Sequence, residues 1–357
     1  MKSKFDAISS KPFWPAPRWL ARGAHRMAWR ELGRADGECW LLLHGGPGGG
    51  CQPGMLKPFD LGRQRVIAPD QRGAGASRPR GSIQANHTAA LVADLEALRE
   101  HLGVPRWSLL AGSWGTVVAL GYARQHPQRV QRLVLRGAFR LTRREIGGLL
   151  LPSARKGKAL GRSDAVWPVK PGTPLAWALA DLAQLLQSGT PGVASLHALR
   201  GWALREMRDA AAGLRRSLLH ARGSAAAALR REWAALRRRQ RRAEAGLLRP
   251  RANRSDRLLW ARYRVQAHYL RHRGFVRPGA LDGAVRALAR QGVAVAWVHG
   301  RFDAICPPAN SRRWARMGLV AGAAVSLRLP PCGHLADEPA MRAALRQCLA
   351  GPPLGPP

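Results

Sequence analysis

The sequence predicts an α/β protein: a mostly parallel, doubly wound sheet carrying a helical cap insert. Three observations predict it. Short apolar runs of strand length recur along the chain, helical patterns separate them, and the alternation lapses once over a long Ala-, Leu- and Arg-rich stretch. The 357 residues suffice for one large domain with a sizeable insert, and an apolar fraction of 46% supplies a core and argues against wholesale disorder.

Strand-like runs come first as HRMAWREL, CWLLLHG, RQRVIAPD, RWSLLAG and QRLVLRG, then much later as VAVAWVHG and AVSLRLP. They lack strict polar alternation, as strands covered on both faces do. Between them, TAALVADLEALREHLG places Leu91, Leu95, Leu98 and Leu102 on one helical stripe, with Thr88 as expected N-cap and Gly103 as stop. From about Arg140 to Pro278 β-branched runs are few, and several helices joined by Pro/Gly loops are expected. The economical division is a core from 1–139, a helical cap insert over 140–278, and the rest of the core over 279–357. The tail GPPLGPP reads as a flexible end.

The formal charge is +38, and only 7 of the 59 basic residues are lysine, so the excess is arginine. Such a surface attracts nucleic acid, anionic lipid or acidic substrates. The same bias also follows from GC-rich coding, because Ala, Gly and Pro are abundant too, and that reading is favoured. The run Arg237 to Arg242 is then a solvated helix face. No recognised nucleic-acid fold or interleaved aromatic motif accompanies it, so no nucleic-acid partner is expected. The five cysteines are odd in number and lack paired metal-ligand spacing, so a reduced, cytoplasmic protein without a metal is expected. The N-terminus has early lysines but no apolar core of a signal peptide, and no run reaches the roughly 18 apolar residues of a membrane span.

Chemistry concentrates in SLLAGSWGTVVAL. The strand ends at Ser113 and a helix follows, with Ala111, Gly112 and Gly115 as small neighbours. A nucleophile on such a turn adopts strained dihedrals and needs little bulk beside it. The turn also aims the Trp114 N–H and the helix N-terminus at a developing oxyanion. A serine needs a base, and the base needs an orienting group. Asp303 follows VAVAWVHG and His334 follows AVSLRLP, each beyond the C-terminal end of a strand. Ser, Asp, His in that order is the α/β-hydrolase order. HGGPGGG offers a second oxyanion donor, Gly46. Asp70 and Arg72 are expected to pair as structural ions near the site. His44 and His299 are expected to fix loop backbone, and Cys306 and Cys332 to pack as small hydrophobes.

HGGPGGG, DQRGAGAS, GSWGT, HGRFDAICPP and GHLADEP, in this order, resemble the proline iminopeptidases of the α/β-hydrolase fold. The resemblance runs from about Arg22 to Gln347 and is dense only in the α/β portions. It implies Ser113, Asp303 and His334 as catalytic triad, Gly46 and Trp114 as oxyanion hole, a helical cap, no cofactor, and release of N-terminal proline from peptides. In that family acidic cap residues hold the substrate ammonium, one in a W-x-x-W-E-G-like and one in an R-I-E-N-H-Y-F-like stretch. Here the second reads YRVQAHYLRHRGF, with Gln266 at the glutamate position. The first is matched to REWAALRRRQRR, where Ala234 or Arg237 falls at the acidic position and Glu232 is the nearest carboxylate. Gly45, Glu232 and Gln266 are therefore the expected substrate contacts. Losing a charged partner in a desolvated pocket costs roughly 2–5 kcal/mol, so specificity carries over less firmly than chemistry. The expected function is a serine peptidase of this aminopeptidase type acting on a small peptide or acyl substrate. The alternatives are an esterase-like hydrolase of neutral or anionic acyl groups and a basic nucleic-acid-binding protein on an unused hydrolase fold.

Overall fold

Eight strands form one sheet in the computed structural model, which describes residues 13–151, 167–187 and 192–351. They are β1 (Arg18–Arg22), β2 (His25–Gly33), β3 (Glu38–Leu43), β4 (Gln64–Pro69), β5 (Trp107–Gly112), β6 (Val130–Arg136), β7 (Ala294–Val298) and β8 (Val325–Arg328). Their order is β1-β2-β4-β3-β5-β6-β7-β8; β1–β2 and β2–β4 pair antiparallel, and every later pair is parallel. β3 lies between β4 and β5, so the strand order reverses there, and ligands of open α/β sheets bind beyond the strand ends at such a reversal.

The seven expected strands are present, and β1 was missed. RWLAR carries arginine at both ends and alternates only weakly in burial, as an edge strand does. Its Trp19 is instead covered by Arg26, whose guanidinium carbon lies 5.0 Å from the ring centre.

Along β3 the side chains divide by a period of two. Leu41 and Leu43 join Leu109, Val117 and Leu120 in one cluster, and Trp40 and Leu42 join Leu110, Val134 and Leu345 in another. Helices cover both faces: α1 (Thr88–His101) and α2 (Gly115–Gln125) early, and α8 (Ala280–Arg290), α9 (Ala309–Val320) and α10 (Pro339–Ala350) late. Leu91, Leu95 and Leu98 are buried as the α1 stripe requires, and Gly103 stops the helix at φ 62°. The expected cap is one residue off. His87 is the N-cap, its Nδ1 accepting the Ala90 N–H at 3.2 Å, while the Thr88 hydroxyl donates to the Gly274 carbonyl.

Between β6 and β7 run α3 (Arg143–Leu150), α4 (Leu175–Leu185), α5 (Val193–His220), α6 (Gly223–Ala245) and α7 (Arg254–Arg271). Trp202 and Tyr263 of these helices share the apolar cluster that contains Leu41 and Leu109, so α5 and α7 are continuous with the core beneath them. A buried ion pair fixes α5 to α7. Arg200 Nε and Nη2 reach Asp256 at 3.0 and 2.8 Å, the fork geometry that strengthens such pairs. α6 packs on α5 through the separate cluster of Ala211, Leu214, Leu229 and Leu236. Arg237, Arg238, Arg239, Arg241 and Arg242 are exposed on it, a solvated face as expected. All five cysteines are free thiols, and among the described residues no helix is long and apolar enough to cross a membrane. The expected flexible tail lies outside the described residues except for Gly351.

Candidate active site

β5 ends at Gly112 and α2 begins at Gly115, leaving Ser113 and Trp114 to make the turn. Ser113 has φ 55°, in the left-handed region, a conformation that costs a non-glycine residue about 1–3 kcal/mol and persists only where the surroundings over-determine it. They do so here. The Ser113 N–H donates to the Arg136 carbonyl at 2.8 Å, and its own carbonyl accepts the Thr116 N–H at 2.9 Å and the Thr116 hydroxyl at 2.7 Å. The small neighbours are needed sterically. A Cβ on Gly112 would run into the Arg136 guanidinium, and one on Gly115 would stand 2.7 Å from the Leu43 carbonyl oxygen. Ala111, in place of the first glycine of the motif, is fully buried without conflict.

The loop after β3 meets this turn. A Cβ on Gly45 would lie 2.7 Å from the Gly112 carbonyl oxygen and 3.0 Å from Ser113 Cβ, so only glycine permits the approach. His44 holds the loop. Its Nε2 accepts the Gln71 N–H at 3.1 Å, its Nδ1 lies 3.2 Å from the Gly50 nitrogen and 3.1 Å from the Gly45 carbonyl oxygen, and burial lowers its pKa and keeps it neutral. Trp114 is locked through its ring, with Nε1 donating to Gln71 Oε1 at 3.0 Å. Among the described residues the backbone N–H groups of Gly46 and Trp114 have no partner, as donors reserved for an oxyanion require.

Asp303 and His334 are joined at 2.7 Å between Oδ2 and Nδ1. The carboxylate is saturated: Oδ1 accepts the Ile305 and Cys306 N–H groups at 2.8 and 2.9 Å, and His299 Nε2 lies 3.3 Å from Oδ2. Burial alone would raise its pKa, but the His334 imidazole and the bonds from both histidines outweigh that and hold it well below the usual carboxylate range. Gly137, at φ 58°, lets the backbone pass close by: its missing Cβ would lie 3.3 Å from His334 Cε1 and 3.5 Å from Asp303 Oδ2. Because Ser113 is bonded to Arg136 and His334 abuts Gly137, all three side chains gather at one sheet edge.

One link is not formed. Ser113 Oγ lies 4.0 Å from Cys306 Sγ, and among the described residues it makes no hydrogen bond to His334. The histidine is set for its orienting aspartate, and the serine rests against a thiol that burial keeps protonated. Loose nucleophile–base contacts are common without substrate, and rotation about one side-chain bond moves Oγ.

One expectation needs correction. Asp70 and Arg72 do not pair. Asp70 takes Arg30 Nη1 at 3.3 Å and the N–H groups of Cys51 and Ala76, while Arg72 forks onto Asp94 of α1 at 2.6 and 2.8 Å. The two residues, two positions apart, take partners from different elements, Asp70 from β2 and Arg72 from α1. Glu232, on α6, makes no hydrogen bond or ion pair among the described residues. The carboxylate that meets Gln266 is Glu206 of α5: Oε1 accepts Gln266 Nε2 at 2.7 Å, and Oε2 accepts Arg262 Nη2 at 2.6 Å and the Tyr263 hydroxyl at 3.0 Å. A signal for it was present. Trp202-Ala-Leu-Arg-Glu206 keeps W-x-x-W-E spacing with Arg205 in the second tryptophan's place. Gly333, just before His334, was not singled out in the sequence. Its N–H donates to both oxygens of buried Glu338 at 2.9 Å, and Ser217 of α5 donates to Glu338 at 2.6 Å, tying the histidine loop to α5. His299 does fix backbone, through the Cys306 carbonyl at 3.0 Å, and Cys306 and Cys332 are buried as expected.

α7 lies directly over the oxyanion loop. A Cβ on Gly46 would stand 3.5 Å from Arg262 Nη2 and 4.0 Å from Gln266 Oε1. The whole arrangement pairs a strained serine, two free N–H donors and an aspartate-oriented imidazole, the parts acyl transfer needs.

A family model described as the alpha/beta hydrolase fold matches residues 41–336. The chain is similar to a proline iminopeptidase of Arabidopsis thaliana, 47% identical over 122 residues, which are 34% of this chain and 32% of that protein. It is also similar to one of Xylella fastidiosa, 46% identical over 123 residues, 34% and 39% of the two chains. The matched stretch spans about a third of the length of these curated relatives. Among solved structures, a thermophilic esterase from Thermogutta terrifontis superposes with a TM-score of 0.56 at 19% identity, covering 94% of this chain and 97% of that one. An esterase from Rhodococcus sp. superposes with a TM-score of 0.55, also at 19% identity, covering 96% and 100%. At that identity the two structures show the fold alone.

Proposed function

Since the chain belongs to the alpha/beta hydrolase family, we propose that it is a serine hydrolase of the proline iminopeptidase type, acting on small peptides or related acyl compounds. Ser113 Oγ attacks the scissile carbonyl carbon while His334 Nε2 takes the hydroxyl proton. Asp303 holds Nδ1–H, fixing the tautomer and stabilising the imidazolium. The Gly46 and Trp114 N–H groups receive the oxyanion. His334 then protonates the leaving group, and a water activated by the same imidazole releases the acyl chain.

The observation that carries this reading is the left-handed Ser113 at a strand–helix turn, beside the Asp303–His334 pair. Relatives named as proline iminopeptidases favour release of N-terminal proline. In the same reading residues 140–278 form the cap over a core of 1–139 and 279–357. The free thiols support a reducing, cytoplasmic setting.

A second reading, hydrolysis of neutral or anionic acyl groups, is favoured by one contact: the Glu206 carboxylate is already neutralised by Arg262. A fluorophosphonate probe tests the common premise. Labelling of the wild type and none of Ser113→Ala is expected, and an unlabelled folded wild type overturns the hydrolase assignment. Turnover of prolyl 4-nitroanilide against a short acyl ester separates the two substrate classes.

A further inference from the structure

The cap helices place a small polar cluster against the oxyanion loop. Glu206 comes from α5, and Arg262, Tyr263 and Gln266 come from α7. Gly48 brings α7 down on the loop, since a Cβ there would overlap the Arg262 backbone. The Glu206 carboxylate accepts from three cap side chains, and its charge is matched by the Arg262 guanidinium at 2.6 Å. Two polar atoms are left over. Arg262 Nε, a donor, and Gln266 Oε1, an acceptor, are both buried and unpartnered, in a glutamine only 4% exposed. Each lies 4.0 Å from the same point, the place where a Cβ on Gly46 would stand. One donor and one acceptor therefore lie close to the same glycine, beside the candidate oxyanion hole.

Hydrogen-bond inventories decide what fits that spot. An ammonium carries only donors, so it satisfies Gln266 Oε1 but confronts the Arg262 donor and its positive charge. A carboxylate carries only acceptors and confronts Gln266 Oε1. An uncharged amine offers an N–H and a lone pair, and a secondary amide offers an N–H and a carbonyl. We infer that this subsite binds the nitrogen flanking the scissile carbonyl in its uncharged form, as a deprotonated amine or an amide, with N–H to Gln266 Oε1 and the acceptor to Arg262 Nε. The inference rests on Ser113 being the nucleophile of the hydrolase proposed above.

The charged and titratable groups around the subsite are Glu206 of α5, Arg262 and Tyr263 of α7, His44 of the β3 loop, and the His334–Asp303 pair. Arg262 is held cationic by Glu206, and burial keeps Tyr263 a neutral phenol and His44 a neutral imidazole. His334 affects every substrate alike, so an amine-free substrate removes its contribution.

The test is the ratio of kcat/KM for prolyl 4-nitroanilide to that for 4-nitrophenyl butyrate, from about pH 6 to about pH 9, a range that brackets the ordinary α-amino pKa of about 8. In the wild type the ratio is expected to climb about tenfold or more as the substrate amine loses its proton, and then to level off. Gln266→Glu and Arg262→Gln each shift the subsite toward negative charge and are expected to flatten or reverse the climb. Each should also raise prolyl anilide turnover relative to the ester at low pH; either variant suffices if the other does not fold. A flat or falling wild-type ratio overturns the inference, as does ester hydrolysis with no prolyl anilide turnover at any pH. Failure of the serine-hydrolase reading looks different: no ester turnover and no fluorophosphonate labelling.

Discussion

The sheet edge and the cap do their work with different kinds of contact. At the sheet edge each candidate catalytic side chain sits just past a strand, and backbone bonds set its position: Ser113 N–H to the Arg136 carbonyl, Gly137 N–H to the Val298 carbonyl at 2.9 Å, Asp303 Oδ1 to two backbone N–H groups. In the cap, position comes from side chains meeting across helices, as Glu206 of α5 meets three residues of α7. The difference teaches which substitutions are tolerated. A site built on strand ends withstands much change elsewhere, because the parallel register carries it. A site built between helices changes character with one exchange, as where Gln266 stands at an expected glutamate.

Predictions that sharpen this contrast begin at the sheet edge, where effects are largest. Ser113→Ala is expected to lower kcat by about 10⁴-fold or more, leaving only binding and the N–H donors, measured by ester hydrolysis. Asp303→Asn should follow at about 10⁴-fold, because the amide no longer fixes the imidazole tautomer. The same variant has a pH signature. The Asp303 carboxyl is depressed in the folded protein, so its ionised form contributes stability above the unfolded value of about 3.9, and that contribution is lost as pH falls below it. The gap between the denaturant midpoints of wild type and Asp303→Asn should therefore be full above about pH 4 and narrow progressively as the pH falls below it. Gly45→Ala comes next. Its methyl would press on Ser113 Cβ and the Gly112 carbonyl, moving the Gly46 donor, and a loss of about 10²–10³ in kcat is expected, the size of removing one oxyanion donor.

How much of this was legible in the sequence follows the same division. Seven strands could be read because WSLLAG, VAVAWV and their like are continuous apolar runs, and the candidate site residues were chosen for standing just beyond such runs. β1 escaped because RWLAR spends its burial on one face only and covers Trp19 with an arginine from β2. His87 escaped as N-cap because a histidine nitrogen did the task usually read from a Thr or Ser hydroxyl. Asp70 and Arg72 were paired for lying two positions apart, but a loop residue's direction depends on what it packs against, and each found an ion of another element. The contact of Ser113 with Cys306, and the tie of Gly333 to Glu338, depend on side-chain directions that spacing does not encode.

The cap supplies the smaller and more discriminating test, because two carboxylates compete for one role. Glu206→Gln leaves the Arg262 charge unmatched and sets amide against amide at Gln266. A stability loss of about 1–3 kcal/mol by denaturant titration is expected. With it should come a drop in kcat/KM for prolyl 4-nitroanilide that exceeds the drop for an acyl ester, since the subsite gains positive charge. Glu232→Gln should change neither quantity beyond about twofold in kcat/KM or about 0.5 kcal/mol, the range for surface sites without a partner. A strong effect at Glu232 with none at Glu206 would reverse the assignment of α5 and α6. It would also mean that α6 reaches the substrate, a role its packing on α5 through Leu229 and Leu236 gives it no reason to have.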